Sequence, residues 1–300
     1  MEDWPRLTSP ELCERLRMTA DAFLEYFRGL LGNFPPREVT PELLDRGRRY
    51  PWYRPTESYL LRDGEISLLA DLDPGEREAV AERHTGTASG RTTLLAYGAN
   101  GAPKSLALKV AHLEDPADRE VLVLTGEVEG IDVVASASVT VYGAMPATIA
   151  ASPGTAVRVA MLRLTATQLE TIVLGEMPYR VGRLDAVEFS VDAGVPDVDL
   201  GSPLVLVSRW GTFAPDDEPT ALAAVPARDR RFRAWEQKEL LDRAAELVFG
   251  DEGVDGEALV TRYLAGPTEL FEQGLAALRA VAQPFDHPGW TPIPPDALST

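Results

Sequence analysis

Leu94-Leu95-Ala96-Tyr97-Gly98-Ala99-Asn100-Gly101-Ala102-Pro103 is the stretch that decides the reading of this 300-residue chain. A short apolar run stops at a glycine-rich turn, and a helical pattern follows from Pro103 to Val110. Strand, tight loop and helix together leave backbone N–H groups unpaired where the helix starts. Such an end favours carboxylates and oxyanions, so the stretch predicts a cradle for a small anion. The second stretch of comparable quality is Gly175-Glu176-Met177-Pro178-Tyr179. There Thr165 is a fair N-cap for a helix running to about Leu174, and Gly175 is its stop. Glu176 then stands between a helix end, where the dipole disfavours negative charge, and a following strand.

Around these stretches the texture is that of a sheet. Residues 92–97, 120–128, 132–142, 155–164, 186–192 and 203–209 are rich in Val, Leu, Ile and Thr. Turn chemistry separates them at Glu129-Gly130, Ser152-Pro153-Gly154 and Asp192-Ala193-Gly194. With helices after Pro103 and over 165–174, this predicts an α+β core over 91–212, built as a small mixed sheet closed or nearly closed into a β-barrel. Residues 1–90 read as a mostly helical N-terminal extension. One amphipathic helix is predicted over 10–31, capped by Ser9 and stopped by Gly32-Asn33 and Pro35-Pro36, and a shorter one over 41–49. The proline-stiffened Tyr50-Pro51-Trp52-Tyr53-Arg54-Pro55 is predicted to pack its three large rings on the core or on a second chain. Residues 213–300 read as a helical C-terminal extension with helices over 232–249, 255–264 and 267–282. A proline-rich tail over 284–295 is expected to be draped or disordered.

The formal charge of −18 argues against nucleic acid and anionic membranes as partners. No apolar run is long enough to span a bilayer. Met1-Glu2-Asp3-Trp4-Pro5 lacks the pattern of a signal peptide, and the one cysteine, Cys13, has no partner for an internal disulfide. These point to the cytoplasm. His84, His112 and His287 are far apart in sequence and Cys13 is alone, so no metal site is expected. No Gly-x-Ser-x-Gly elbow is present, and Ser89 in Gly86-Thr87-Ala88-Ser89-Gly90 precedes a strand instead of ending one. Gly98 to Ser105 has the outline of a phosphate loop, but Pro103 stands where its last glycine belongs and removes one N–H.

Tyr97-Gly98-Ala99-Asn100 resembles the Tyr-Gly-Ser-Asn signature of the γ-glutamylcyclotransferase-like family. In the same order along the chain, Tyr142-Gly143-Ala144-Met145-Pro146-Ala147-Thr148 is similar to that family's glycine-then-proline segment beside the pocket. Leu164-Thr165-Ala166-Thr167-Gln168-Leu169 resembles its Leu-Thr-x-x-x-Leu helix start. Glu176-Met177-Pro178-Tyr179 resembles the segment that carries its catalytic glutamate. The resemblance covers about 91–210.

It implies an enzyme that lets the α-amine of a γ-glutamyl amide attack its own γ-carbonyl, releasing 5-oxoproline and an amine without metal or cofactor. Glu176 is then the general base and acid. Tyr97, Gly98, Ala99, Asn100, Tyr142, Gly143, Pro146 and Tyr179 become the substrate-binding residues. Ala99 departs from the family's serine. The alternative is a non-catalytic small-molecule-binding or scaffold protein on the same fold, with the extensions serving a protein partner or a second copy. The two part on one observation: whether Glu176 faces the 97–100 loop across an open cavity, or an extension side chain fills that cavity.

Overall fold

The computed structural model of the chain describes residues 4–5, 7–33, 38–84, 89–185, 187–192, 200–250, 253–294 and 297. Met1-Glu2-Asp3, Pro35-Pro36, Gly86-Thr87-Ala88, Ala193-Gly194 and Pro295 lie outside these residues. In chain order the elements are α1 (Pro10–Arg17), α2 (Ala20–Gly32), α3 (Pro41–Arg48), β1 (Tyr59–Arg62), β2 (Glu65–Leu68), α4 (Pro74–His84), β3 (Thr92–Ala96), α5 (Pro103–Val110), β4 (Glu120–Ala135), β5 (Ala147–Leu164), α6 (Ala166–Gly175), β6 (Tyr179–Leu184), β7 (Phe189–Val191), β8 (Leu204–Ser208), β9 (Thr212–Phe213), β10 (Ala221–Leu222), β11 (Ala227–Arg228), β12 (Ala234–Trp235), α7 (Gln237–Phe249), α8 (Gly256–Ala265), α9 (Pro267–Ala280), β13 (Ala282–Gln283) and β14 (Trp290–Pro292).

Among the described residues twelve strands form one mixed sheet whose main path is β12-β10-β4-β5-β3-β8-β6-β14. β1 and β7 add to the free side of β4, and β11 adds to β5. Alternate residues of each strand enter different cores. Leu94, Ala96, Val121, Val123, Leu204 and Leu206 face one side with α1, α5 and α6. Leu95, Tyr97, Leu122, Leu124, Val205 and Val207 face the other, with α2, α7 and α8. A sheet covered on both faces accounts for strands that read as continuous apolar runs.

The sheet is not a barrel. Neither β2, β7 nor β12 on the β4 side pairs with β14 or β11 on the other side. Closure fails because both edges are already occupied. Segments from outside 91–212 cover them: the β1–β2 hairpin and β10–β12 on one side, and β14, paired antiparallel to β6, on the other.

Other elements also depart from their sequence reading. The 120–128 and 132–142 segments are one strand to Ala135 followed by a loop, and Glu129-Gly130 is a bulge in it. The facing Ser152-Pro153-Gly154 lies within β5. The 10–31 helix is broken at Met18, where Thr19 caps a second helix by accepting the Ala22 N–H. The tail is paired at Trp290–Pro292. Among the described residues no helix is long and apolar enough to cross a membrane.

One ionic cluster ties the N-terminal elements to β4. Glu120 accepts from Arg62 Nε at 2.8 Å, from Arg83 at 3.2 Å and from His84 Nε2 at 2.8 Å. The His84 hydrogen bond, with help from Arg62 and Arg83, holds the Glu120 carboxyl down at about 2. Burial lowers His84, so its neutral ring donates through Nε2 and leaves the Nδ1 lone pair without a partner among the described residues. A carboxyl held below its ordinary value of 4.5 contributes stability that is present above that value and lost as pH falls toward 2. Glu120→Gln should therefore unfold at a lower temperature than wild type at pH 7, with the gap narrowing as pH drops through that window. A gap that stays constant with pH would contradict this role for the cluster.

Candidate functional site

The site forms where β3 ends. Tyr97 leaves the strand, Ala99–Gly101 make one tight turn, and α5 begins at Pro103. Proline suits that first helical position, where an N–H has no partner anyway. β8 runs parallel beside β3, and β6 antiparallel beside β8, with Tyr179 opposite Ser208. The end of α6 is thereby brought to the 97–101 turn. Thr165 and Gln168 form a capping box at the start of α6, and Glu176 is its C-terminal cap.

Glu176 meets that turn directly. Asn100 Nδ2 donates to Glu176 Oε1 at 3.1 Å. Lys109 Nζ, on α5, donates to the same oxygen at 2.5 Å and to Asn100 Oδ1 at 2.7 Å. The ammonium supplies positive charge at a helix end whose dipole disfavours a carboxylate. Both donors take Oε1, so Oε2 stands outside these bonds.

This polar group borders a cavity of about 340 Å³, near the lower end for ligand sites. Tyr97, Gly98, Ala99, Asn100, Tyr142, Pro146, Glu176 and Tyr179 all line it. Gly143 does not. It adopts φ +74°, and a Cβ there would lie 2.7 Å from Val260 Cγ1, so helix packing and a left-handed backbone account for this glycine. Phe27, Leu30, Leu31, Arg46, Tyr50 and Trp52 from the N-terminal part, with Trp210 and Tyr263, complete the wall without filling the cavity. Of the three rings in the proline-stiffened segment, Tyr50 is buried and Trp52 partly buried, while Tyr53 is exposed. Trp52 sits at φ +69°, rare for a bulky residue. Its indole N–H donates to the Arg46 carbonyl at 3.0 Å, and the Arg46 guanidinium lies 5.0 Å from the ring centre.

Burial pushes the hydroxyls of Tyr50, Tyr97, Tyr142 and Tyr179 up, so all four keep their protons near neutrality. Tyr97 donates to the Leu206 carbonyl, and Tyr179 to the Ala147 carbonyl at 2.7 Å. Tyr50 Oη accepts the Ala147 N–H at 2.9 Å.

Lys109, Arg46, Tyr50 and Trp52 also line the cavity, beyond the residues that the sequence singles out for the site. Lys109 carried a readable signal. It lies four residues after Ser105, on the same helix face, and both line the cavity. Tyr50 and Trp52 stand in the segment expected to pack on the core or on a second chain, but only the fold brings residue 50 to residue 98. Among the described residues no group of three or more His, Cys, Asp or Glu is placed to hold a metal.

No protein-family model matches the chain, and no curated protein matches it. Some solved structures are weakly similar, among them these two. One is an uncharacterized protein from Homo sapiens, 14% identical, with 67% of this chain and 92% of that one covered and a TM-score of 0.29. The other is a gamma-glutamyl cyclotransferase, 14% identical, with 66% and 92% covered and a TM-score of 0.28. A likeness this loose assigns neither a family nor an activity.

The glycine at 98 has its own consequence. A Cβ there would lie 2.7 Å from Tyr50 Oη. Gly98→Ala should destabilise the protein by about 1–3 kcal/mol, as overpacking does. In a Tyr50→Phe background, where the hydroxyl is gone, the same substitution should cost clearly less. Denaturant unfolding of the four proteins measures this coupling. Strictly additive effects would mean that Tyr50 is not seated against the loop.

Proposed function

We propose that the cavity binds a γ-glutamyl amide and closes it to 5-oxoproline, releasing the amine. The observation that carries the reading is the meeting of Glu176 with Asn100 of the 97–101 turn at 3.1 Å, on the wall of an unfilled cavity. One glutamyl group spans both.

In this reaction the substrate's α-amine attacks its γ-carbonyl carbon, and Glu176 takes the proton from that nitrogen. The tetrahedral intermediate then collapses, the amide C–N bond breaks, and Glu176 returns the proton to the leaving nitrogen. Folding the flexible glutamyl arm into an attack-ready shape is the wall's contribution. Lys109 and Asn100 hold the carboxylate through Oε1, and Oε2 is the oxygen that exchanges the proton. Ala99 brings no hydroxyl, so the turn acts through its backbone and Asn100.

A second reading has its own support. The Lys109 ion pair holds one oxygen of the carboxylate the reaction needs, as suits a protein that binds a small molecule without turning it over. The two part in one assay, release of 5-oxoproline from a panel of γ-glutamyl amines and peptides. The catalytic reading expects release by wild type, and a loss of turnover on the order of 10²–10⁴ in Glu176→Gln with the unfolding midpoint nearly unchanged. No release from any member, with ligand binding retained, would favour the binding protein.

A further inference from the structure

We infer that Tyr50, from the N-terminal part of the chain, supplies the hydrogen-bond donor that meets the ligand's γ-carbonyl oxygen. This rests on the proposed cyclisation. Two of the other cavity phenols donate elsewhere. Tyr97 donates to the Leu206 carbonyl and Tyr179 to the Ala147 carbonyl. Tyr50 is the phenol whose hydroxyl is seated against the 97–101 turn, 2.7 Å from where a Cβ at position 98 would stand. Its oxygen accepts the Ala147 N–H at 2.9 Å. For its own proton no acceptor lies within hydrogen-bond distance among the described residues.

Ala147 therefore fixes two phenols at once, one through its N–H and one through its carbonyl. The Tyr50 ring is held by stacking on Tyr142, with centres 5.9 Å apart, and by the edge of Trp52 at 5.6 Å. The result is a preorganised O–H between the 98–100 turn and β5, with the Ala147 N–H polarising it from behind.

During cyclisation the γ-carbonyl oxygen gains charge as the new C–N bond forms. A fixed donor aimed at that oxygen acts mainly in the transition state. Tyr50 keeps its proton throughout, and the moving proton is the one on Glu176. The glycine at 98 fits the same picture, because a side chain there would displace the hydroxyl.

The test is steady-state release of 5-oxoproline by the full chain, on the amide that wild type turns over best. Tyr50→Phe should lower kcat by about 10²–10³, with KM changed by less than about threefold. The same substitution leaves the Ala147 N–H without its acceptor, so a variant that keeps the oxygen is needed as well. Trifluorotyrosine at position 50 retains that bond and has a more acidic phenol. It should move the alkaline limb of the kcat–pH profile to lower pH. Wild-type turnover with kcat unchanged in Tyr50→Phe, or with the limb unmoved in the fluorinated protein, overturns the role of Tyr50 and leaves the cyclisation standing. No 5-oxoproline from wild type on any amide overturns both.

Discussion

The long antiparallel ribbon of β4 and β5 is the constraint on which the rest of the structure depends. Their pairing runs from Leu122 opposite Arg163 to Ala135 opposite Ala147. β1, β7 and β10 are laid along one margin of that ribbon, and β3 and β11 along the other. With alternate residues entering cores on opposite faces, a one-residue slip would turn both cores inside out. The apolar character of both faces thus fixes the register. The register in turn fixes where Ala147 starts β5 and where Tyr97 leaves β3.

The site inherits its geometry from that register. Ala147 positions the hydroxyls of Tyr50 and Tyr179. β8 and β6 carry the α6 terminus to the turn after β3, so that Glu176, Asn100 and Lys109 close into one hydrogen-bonded group. Residues before 60 and after 209 supply much of the apolar wall. A charged group set against an aromatic wall is a setting in which electrostatic interactions are stronger than in water.

Much of this was legible in the sequence where local signals agreed. The β3–turn–α5 unit falls at Thr92–Ala96 and Pro103–Val110, within a residue of its reading, because an apolar run, glycines and an N-terminal proline all point the same way. All but one of the nine candidate site residues converge on one cavity; the exception, Gly143, has the positive φ and tight packing that single out glycine for structural reasons. The barrel was not legible, because closure is decided by which segments reach the sheet edges. The β1–β2 hairpin was in fact signalled: Asp63-Gly64, at φ +48° and +89°, is the two-residue turn that such strands prefer. At Glu129-Gly130 and Ser152-Pro153-Gly154, turn chemistry marked a bulge in a continuous ribbon, since the same residues serve both purposes. Proline likewise hid β14, although Pro292 sits on an edge strand, where a missing N–H is tolerated.

The central claim is that a glutamyl-sized ligand lies in the cavity against both Glu176 and the 97–101 turn, and a crystal structure grown with saturating 5-oxoproline tests it most directly. The account predicts the lactam in the cavity, with its ring N–H about 3 Å from a Glu176 oxygen and its carbonyl oxygen within hydrogen-bond distance of Tyr50 Oη. A cavity left without the lactam, or a lactam bound away from Glu176, would contradict it.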